Sequence, residues 1–174
     1  MAQNFTGFPS LQPAIISRMN IDKQSAFGTV HSGSGLTHIT TPTGTIESIP
    51  GFEPAFKAEV NFGADWLSFD ADGSHGRIEL RAIAKTDKGH AIDFRYNGIL
   101  KLDDNAHKLF TGHPDAKSAH FGASTGSASF LVGDPALKAL ENHIFVTNAR
   151  IIRGENGLSV ETKISLVVAS TDAE

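Results

Sequence analysis

Two adjacent residues in the middle of the chain have the types that acid–base chemistry needs. Asp65 precedes Trp66, the single tryptophan of the sequence. A carboxyl group beside an indole ring loses hydration, which raises its pKa towards a value suited to proton transfer. The alternative is that Trp66 packs in the core and Asp65 accepts hydrogen bonds at the end of a strand. The pair therefore predicts either a proton-transfer group or a structural acceptor.

A second set of polar side chains alternates with apolar ones along two neighbouring segments. Glu79 and Arg81 alternate with apolar residues on the first segment, and Asp93 and Asn97 do so on the second. Side chains of a strand alternate between two faces, so each set shares one face of a sheet. If that face lines an interior, Arg81 holds a ligand oxygen and Asp93 moves a proton. If it meets solvent, the same side chains form cross-strand ion pairs.

One histidine and several aromatic residues complete the candidate site. His120 begins a segment rich in glycine and hydroxyl groups and is the best candidate base among eight histidines. Tyr96 lies on the apolar face with Phe94, which favours a core or pocket-wall position over a catalytic phenol. The predicted catalytic residues are Asp65, Arg81, Asp93 and His120. The predicted substrate-binding residues are Trp66, Glu79, Phe94, Tyr96, Asn97 and Phe121.

Metal ions and cofactors are not expected. The chain has no cysteine, and its histidines are scattered without the helical i, i+4 spacing of a zinc site. No glycine-rich phosphate loop opens a helix, so we expect no nucleotide cofactor.

The elements that position these residues are mainly strands. Residues 63–98 read as three antiparallel strands joined by tight Asp- and Gly-containing turns. Residues 56–62 alternate apolar and polar side chains, with Phe62 in the apolar set. Asp134 and Pro135 predict a helix over Pro135 to Asn142, and residues 102–118 read as the longest loop. We expect a flexible arm over 1–13, one β-barrel domain over 14–169 and a polar tail over 170–174.

Composition limits the classes of function. With 174 residues, 40% of them hydrophobic and 20% charged, the chain suits one soluble globular domain. The net charge of −4 and the absence of a basic patch make nucleic acid an unexpected partner. No apolar run reaches the roughly 20 residues that span a bilayer, and the start of the sequence has no signal-peptide pattern. A cytoplasmic location without membrane contact is expected.

Several motifs together resemble a known family. These are Gly63-Ala64-Asp65-Trp66, the turn Thr86-Asp87-Lys88-Gly89, Arg95-Tyr96-Asn97-Gly98 and Gly133-Asp134-Pro135. In order and spacing they are similar to domain of unknown function 3237, also called UPF0311, over roughly residues 14 to 168. The resemblance implies an all-β fold, a calycin-like antiparallel barrel of about eight main strands with one short helix, of the kind that binds small molecules. Gly122-Ala123 stands where that family usually has an Arg-Thr pair, which weakens any role that depends on those residues.

Two functions follow as hypotheses. The first is a cofactor-independent isomerase, cyclase or lyase that acts by general acid–base chemistry on a hydrophobic, oxygenated small molecule, such as a polyketide-like or aromatic metabolite, inside the barrel. The second is a barrel that binds such a molecule without chemistry. A structural role, through a homodimer, is a third possibility.

Overall fold

The structure is a computed structural model that describes residues 6–171. Ten strands account for most of these residues, and they are antiparallel throughout. In chain order they are β1 Ser10–Asn20, β2 Gln24–Thr29, β3 Gly35–Thr40, β4 Thr43–Ser48, β5 Lys57–Phe69, β6 His75–Thr86, β7 Ala91–Lys101, β8 Ser124–Val132, β9 Phe145–Gly154 and β10 Gly157–Val168.

Eight of the strands close into a barrel. The order around it is β5, β4, β1, β10, β9, β8, β7 and β6, and the pairing of β6 with β5 closes the ring. The hairpin β2–β3 is additional: β3 pairs with the second half of β5, while β4 pairs with the first half. The predicted all-β barrel of about eight main strands is confirmed.

The barrel interior is packed with aromatic and aliphatic side chains. Phe94, Phe130 and Phe145 are almost fully buried there, and their rings lie edge-on or tilted against one another at centroid distances of 5.3 Å. Such aromatic contacts add to the free energy of burial. They come from the inward positions of β7, β8 and β9, as the alternation of those segments requires.

A β-bulge in β5 changes which side chains face inward. Val60 lies opposite Ala84 and Phe62 lies opposite Ile83, so Asn61 is an extra residue with no counterpart on β6. Val60 is buried, but Phe62 is 56% exposed on the outside. The sequence predicted that Phe62 shares the buried face with Val60; that prediction is wrong because the bulge shifts the alternation by one residue.

Two short helices accompany the strands in the described part of the chain. The predicted helix at Pro135–Asn142 is present as a 3₁₀ helix, and Asp134 caps it by accepting the Ala136 N–H at 2.9 Å. The segment predicted as the longest loop contains a helix, α1, at Asp104–Phe110. Asp103 caps α1, and its two buried residues, Ala106 and Leu109, attach it to the barrel.

The first strand begins earlier than the sequence suggests. The predicted arm ended at residue 13, but Ser10 to Pro13 pair with Val168 to Ser165 of β10. Residues 1–5 of that arm and residues 172–174 of the predicted tail lie outside the described residues. Within 6–171, no helix is long and apolar enough to cross a bilayer.

Candidate active site

Asp65 is the acidic residue that the fold places in the interior. It follows the bulge on β5, lies level with Ile39 on one side and Leu80 on the other, and is only 8% exposed. Both neighbours are buried aliphatic residues. No basic side chain forms an ion pair with Asp65 anywhere in residues 6–171. Its carboxyl group is therefore poorly hydrated and not neutralised by a cation.

The Asp65 carboxyl group also takes part in the backbone structure of the sheet. The pairing of β5 with β6 is interrupted at Trp66 and Leu67, and Asp65 Oδ1 accepts the backbone N–H of Glu79 at 2.9 Å. Burial raises the pKa of Asp65 to about 7; the Glu79 N–H opposes this rise, and the negative charge of Glu79 adds to it. Near neutral pH the group is thus poised between its two protonation states.

Buried hydroxyl groups lie near Asp65 in the barrel interior. The Tyr96 hydroxyl lies 3.0 Å from Ser124 Oγ, and either oxygen can be the donor. Burial raises the pKa of Tyr96, and the nearby charge of Asp65 contributes to that rise. The phenol therefore stays protonated at neutral pH and can donate a hydrogen bond. Glycine makes the arrangement possible, because a Cβ at Gly98 would lie 2.8 Å from the Tyr96 hydroxyl.

Sequence reasoning missed the buried hydroxyl groups of the barrel interior, of which Ser124 and Thr147 lie beside Tyr96. These are the buried side chains of Ser17, Ser124, Thr147 and Thr162. Each occupies an inward position of its strand, so the alternation of β1, β8, β9 and β10 was the signal that could have found them. Serine and threonine are common on exposed strand faces as well, and the sequence alone does not separate the two cases.

The charged residues of the central strands lie on the outside of the barrel. Arg81 and Arg95 both donate to Asp93, with Arg81 Nε 3.1 Å from Asp93 Oδ2 and Arg95 Nε 3.3 Å from Asp93 Oδ1. The Arg81 side chain is 59% exposed, and Glu79 and Asn97 share its face. The structure therefore does not bring Arg81 and Asp93 together with Asp65, because alternation points them away from the interior.

The remaining predicted residues are divided between core and surface. Phe94 is in the core, whereas Trp66 is outside, 46% exposed and edge-on to His38 at a centroid distance of 4.9 Å. His120 and Phe121 lie in the loop before β8, where His120 lines a surface hollow of about 740 Å³ beside α1. Phe121 packs under the Arg150 guanidinium, 4.6 Å from it. Of the predicted site, Asp65, Phe94 and Tyr96 are the interior members.

No metal centre is evident among residues 6–171, where no three histidine or carboxylate side chains converge as a metal site requires. A second hollow of about 480 Å³ lies between β2, α1 and the β9–β10 hairpin, where β1 has ceased to pair with β10.

Solved structures share this fold at low sequence identity. A conserved protein of unknown function from Rhodopseudomonas palustris is 18% identical with a TM-score of 0.75, and the match covers 94% of this chain and 100% of that one. A β-barrel-like protein from Acinetobacter baumannii is 21% identical with a TM-score of 0.68 over 95% and 99% of the two chains. An enzyme from Penicillium herquei is 15% identical with a TM-score of 0.51 over 94% and 99%.

None of the curated proteins matches this sequence. The family described as "Protein of unknown function (DUF3237)" matches residues 9–167, which is nearly the whole chain and contains every strand of the barrel except Val168, the last residue of β10. The resemblance noted in the motifs around Asp65 and Asp134 is therefore confirmed, and the chain belongs to the DUF3237 family.

Proposed function

We propose that the protein is a cofactor-independent enzyme of the isomerase, cyclase or lyase type, in which Asp65 transfers a proton on a hydrophobic, oxygenated small molecule. The observation that carries this proposal is the burial of Asp65 among apolar and hydroxyl side chains, which raises its pKa to about 7. A general base or acid is most effective when its pKa lies near the working pH.

The chemistry follows from the groups around Asp65. The Asp65 carboxylate takes a proton from a carbon next to a carbonyl group of the ligand, and the electron pair of the broken C–H bond moves onto the carbonyl oxygen. A hydroxyl group such as that of Tyr96 donates a hydrogen bond to the resulting enolate oxygen. Return of the proton from Asp65 to a different carbon completes an isomerisation, and loss of a group beside the enolate completes an elimination.

The fold itself is compatible with catalysis, because the enzyme from Penicillium herquei has a similar one. At 15% identity that similarity concerns the fold and not the reaction. The argument for catalysis therefore rests on Asp65 and its surroundings.

Binding without catalysis is a second candidate, and one observation favours it. Asp65 Oδ1 already accepts the Glu79 N–H where the β5–β6 pairing is interrupted. A carboxyl group with that structural role need not act on a ligand. In that case the barrel binds a small molecule without catalysis.

A simple carbon acid separates the two candidates. The probe is 2-tetralone, an apolar aromatic ketone, and deuterium uptake at its α-carbon in D₂O is followed by proton NMR. We expect exchange above the buffer rate that depends on a group with a pKa near 7, and Asp65→Asn should lower it by about 10²-fold or more, the usual contribution of a general base. Asp70→Asn is the matched control, because Asp70 lies on the same hairpin but pairs with Arg77 at the surface.

The outcomes are distinct. Exchange that falls to the buffer rate in Asp65→Asn and is unchanged in Asp70→Asn supports the enzyme. If 2-tetralone shifts the protein's NMR signals but exchanges at the buffer rate in the wild type, the binding function is favoured. Equal exchange by the wild type and Asp65→Asn contradicts the proposed role of Asp65.

A further inference from the structure

We propose that the hydroxyl groups of Tyr96, Ser124 and Thr147, called the hydroxyl cluster below, bind a carbonyl oxygen of the ligand, and that Thr147 supplies one of the hydrogen bonds. This inference deepens the proposed function and rests on it for the presence of a ketone in the barrel. It assigns separate tasks to the interior polar groups: Asp65 acts on the carbon beside the carbonyl group, and the hydroxyl cluster selects a ligand that has an oxygen at that place.

The three hydroxyl groups come from adjacent strands and converge inside the barrel. Tyr96 on β7, Ser124 on β8 and Thr147 on β9 are all buried. The Tyr96 hydroxyl lies 3.0 Å from Ser124 Oγ, and the Thr147 side chain lies close enough to the same phenol to lower its pKa. The register sets Gly98 and Gly126 in one row with Thr147, so the backbone beneath the cluster carries no side chains on its two nearest strands.

Two hydrogen atoms of the cluster are available to a ligand. Each hydroxyl group has one donor hydrogen, so the cluster has three in all. One forms the bond between Tyr96 and Ser124, and the other hydroxyl of that pair keeps its own hydrogen. Thr147 Oγ1 is buried and has no hydrogen-bond partner within residues 6–171. A buried polar group without a partner costs free energy, and a carbonyl oxygen with two lone pairs can satisfy both remaining donors.

The wall of the barrel beside the cluster has small side chains. The row of inward positions that follows Thr147 contains Ser124, Ala149, Thr162 and Ser17, on β8, β9, β10 and β1. The interior of an eight-stranded barrel is filled by its side chains or holds one small ligand. A row of small residues alone does not make a site, but the unpartnered Thr147 hydroxyl beside it indicates an occupant with a hydrogen-bond acceptor.

Thr41 provides a matched comparison elsewhere in the protein. Its Oγ1 is also buried without a hydrogen-bond partner in the described part of the chain. A Cβ at Gly63 would overlap this oxygen, so the Thr41 hydroxyl is packed against the backbone of β5 and does not belong to the hydroxyl cluster. Thr41→Val therefore removes a buried hydroxyl group of the same kind without changing the proposed site.

Two ligands of the same shape test whether the cluster binds a carbonyl oxygen. 2-Tetralone has the carbonyl group, and tetralin has a methylene group in its place. The Kd of each ligand is measured by NMR titration of the wild type, Thr147→Val and Thr41→Val, since valine has the shape of threonine without the hydroxyl. We expect Thr147→Val to weaken 2-tetralone relative to tetralin by about tenfold, the contribution of one buried hydrogen bond. Thr41→Val should leave the ratio of the two Kd values unchanged.

Urea denaturation of the ligand-free protein gives a second, independent measurement. If the Thr147 hydroxyl has no partner in the free protein, Thr147→Val breaks no hydrogen bond and should not lower the free energy of unfolding. A clear loss of stability in this variant would show that the hydroxyl is already bonded inside the protein, which overturns the proposal.

The outcomes separate this inference from the proposed function. Deuterium exchange that depends on Asp65, combined with an unchanged Kd ratio in Thr147→Val, overturns the hydroxyl site and leaves the proposed catalysis intact. A selective loss of 2-tetralone affinity in Thr147→Val, without exchange in the wild type, supports the site and contradicts the enzyme. If 2-tetralone does not bind, or if Thr41→Val changes the Kd ratio as much as Thr147→Val, the inference is refuted.

Discussion

The substitution Asp65→Asn should make the protein more stable at pH 8 and should leave its stability unchanged near pH 4. Asparagine keeps a carbonyl oxygen that can accept the Glu79 N–H, which Asp65 Oδ1 accepts at 2.9 Å. It removes the ability of the buried side chain to ionise, and it replaces the second carboxyl oxygen by an NH₂ group whose contribution does not vary with pH. The variant therefore isolates the free energy that the native protein loses when Asp65 carries a charge in a poorly hydrated site.

The sign and size of this effect follow from the pKa of Asp65. Its value rises from 3.8 in the unfolded chain to about 7 in the folded protein, so between these values the native state binds more protons than the unfolded state. The contribution of Asp65 to stability is highest below pH 3.8, falls as the pH rises towards 7 and is constant above it. The shift is about three pH units, and at 1.36 kcal/mol per unit the loss is about 4 kcal/mol.

Urea denaturation followed by circular dichroism between pH 4 and pH 8.5 measures this difference. The free energy of unfolding of Asp65→Asn minus that of the wild type should grow with pH and level off above 7. Other carboxylates titrate equally in both proteins and cancel in the difference. Asp70→Asn is the control with the opposite sign, because Arg77 lowers the pKa of Asp70 and the wild type loses that advantage as the pH falls. A difference for Asp65→Asn that does not vary with pH refutes the reasoning.

Two further predictions concern the packing of the barrel and the start of the 3₁₀ helix. Gly126→Ala should destabilise the protein by about 1–3 kcal/mol in urea denaturation, because a Cβ there would overlap the Asn97 carbonyl oxygen. Gly133→Ala, with no atom within 4 Å of its Cβ, should be close to neutral, and equal effects of the two substitutions would contradict this account. Asp134→Ala should lower the melting temperature, because it removes both the acceptor of the Ala136 N–H at the start of the 3₁₀ helix and the partner of the His90 ring; an unchanged melting temperature would show that neither contact contributes to stability.

The sequence predicted those elements whose signal is local. Alternation in β6 and β7 and the Asp134-Pro135 helix start each depend on a few neighbouring residues, and the structure has all of them at the expected places. Helix α1 was missed because it has only seven residues, of which two are buried, and so short a segment shows no helical periodicity. The start of β1 was missed because Ser10 to Pro13 gain their strand structure from pairing with β10, a partner more than 150 residues away.

Prediction of the candidate site required knowing which face of each strand lies inside the barrel, and alternation does not show this. Alternation assigned Glu79 and Arg81 to one face and Leu80 to the other, but it did not say which face is inside. The charged face proved to be the outer one, as the cost of burying several charges would suggest. Asp65 is the exception, and its inward position follows from the extra residue Asn61, for which the sequence gives no local signal.

The β-bulge at Asn61 determines both the inward position of Asp65 and the outward positions of Phe62 and Trp66. A shift of one residue exchanges the two faces of a strand. If Asn61 were paired as an ordinary strand residue, Asp65 would face outward and Phe62 and Trp66 inward; loss of Asn61 would instead remove the bulge and leave all three on their present faces. Point substitutions can change either feature separately, but one residue inserted or removed between Phe62 and Asp65, with the bulge kept, would exchange the faces of Asp65 and Trp66 together, so such changes of length should be far less tolerated in evolution than loss of Asn61 itself.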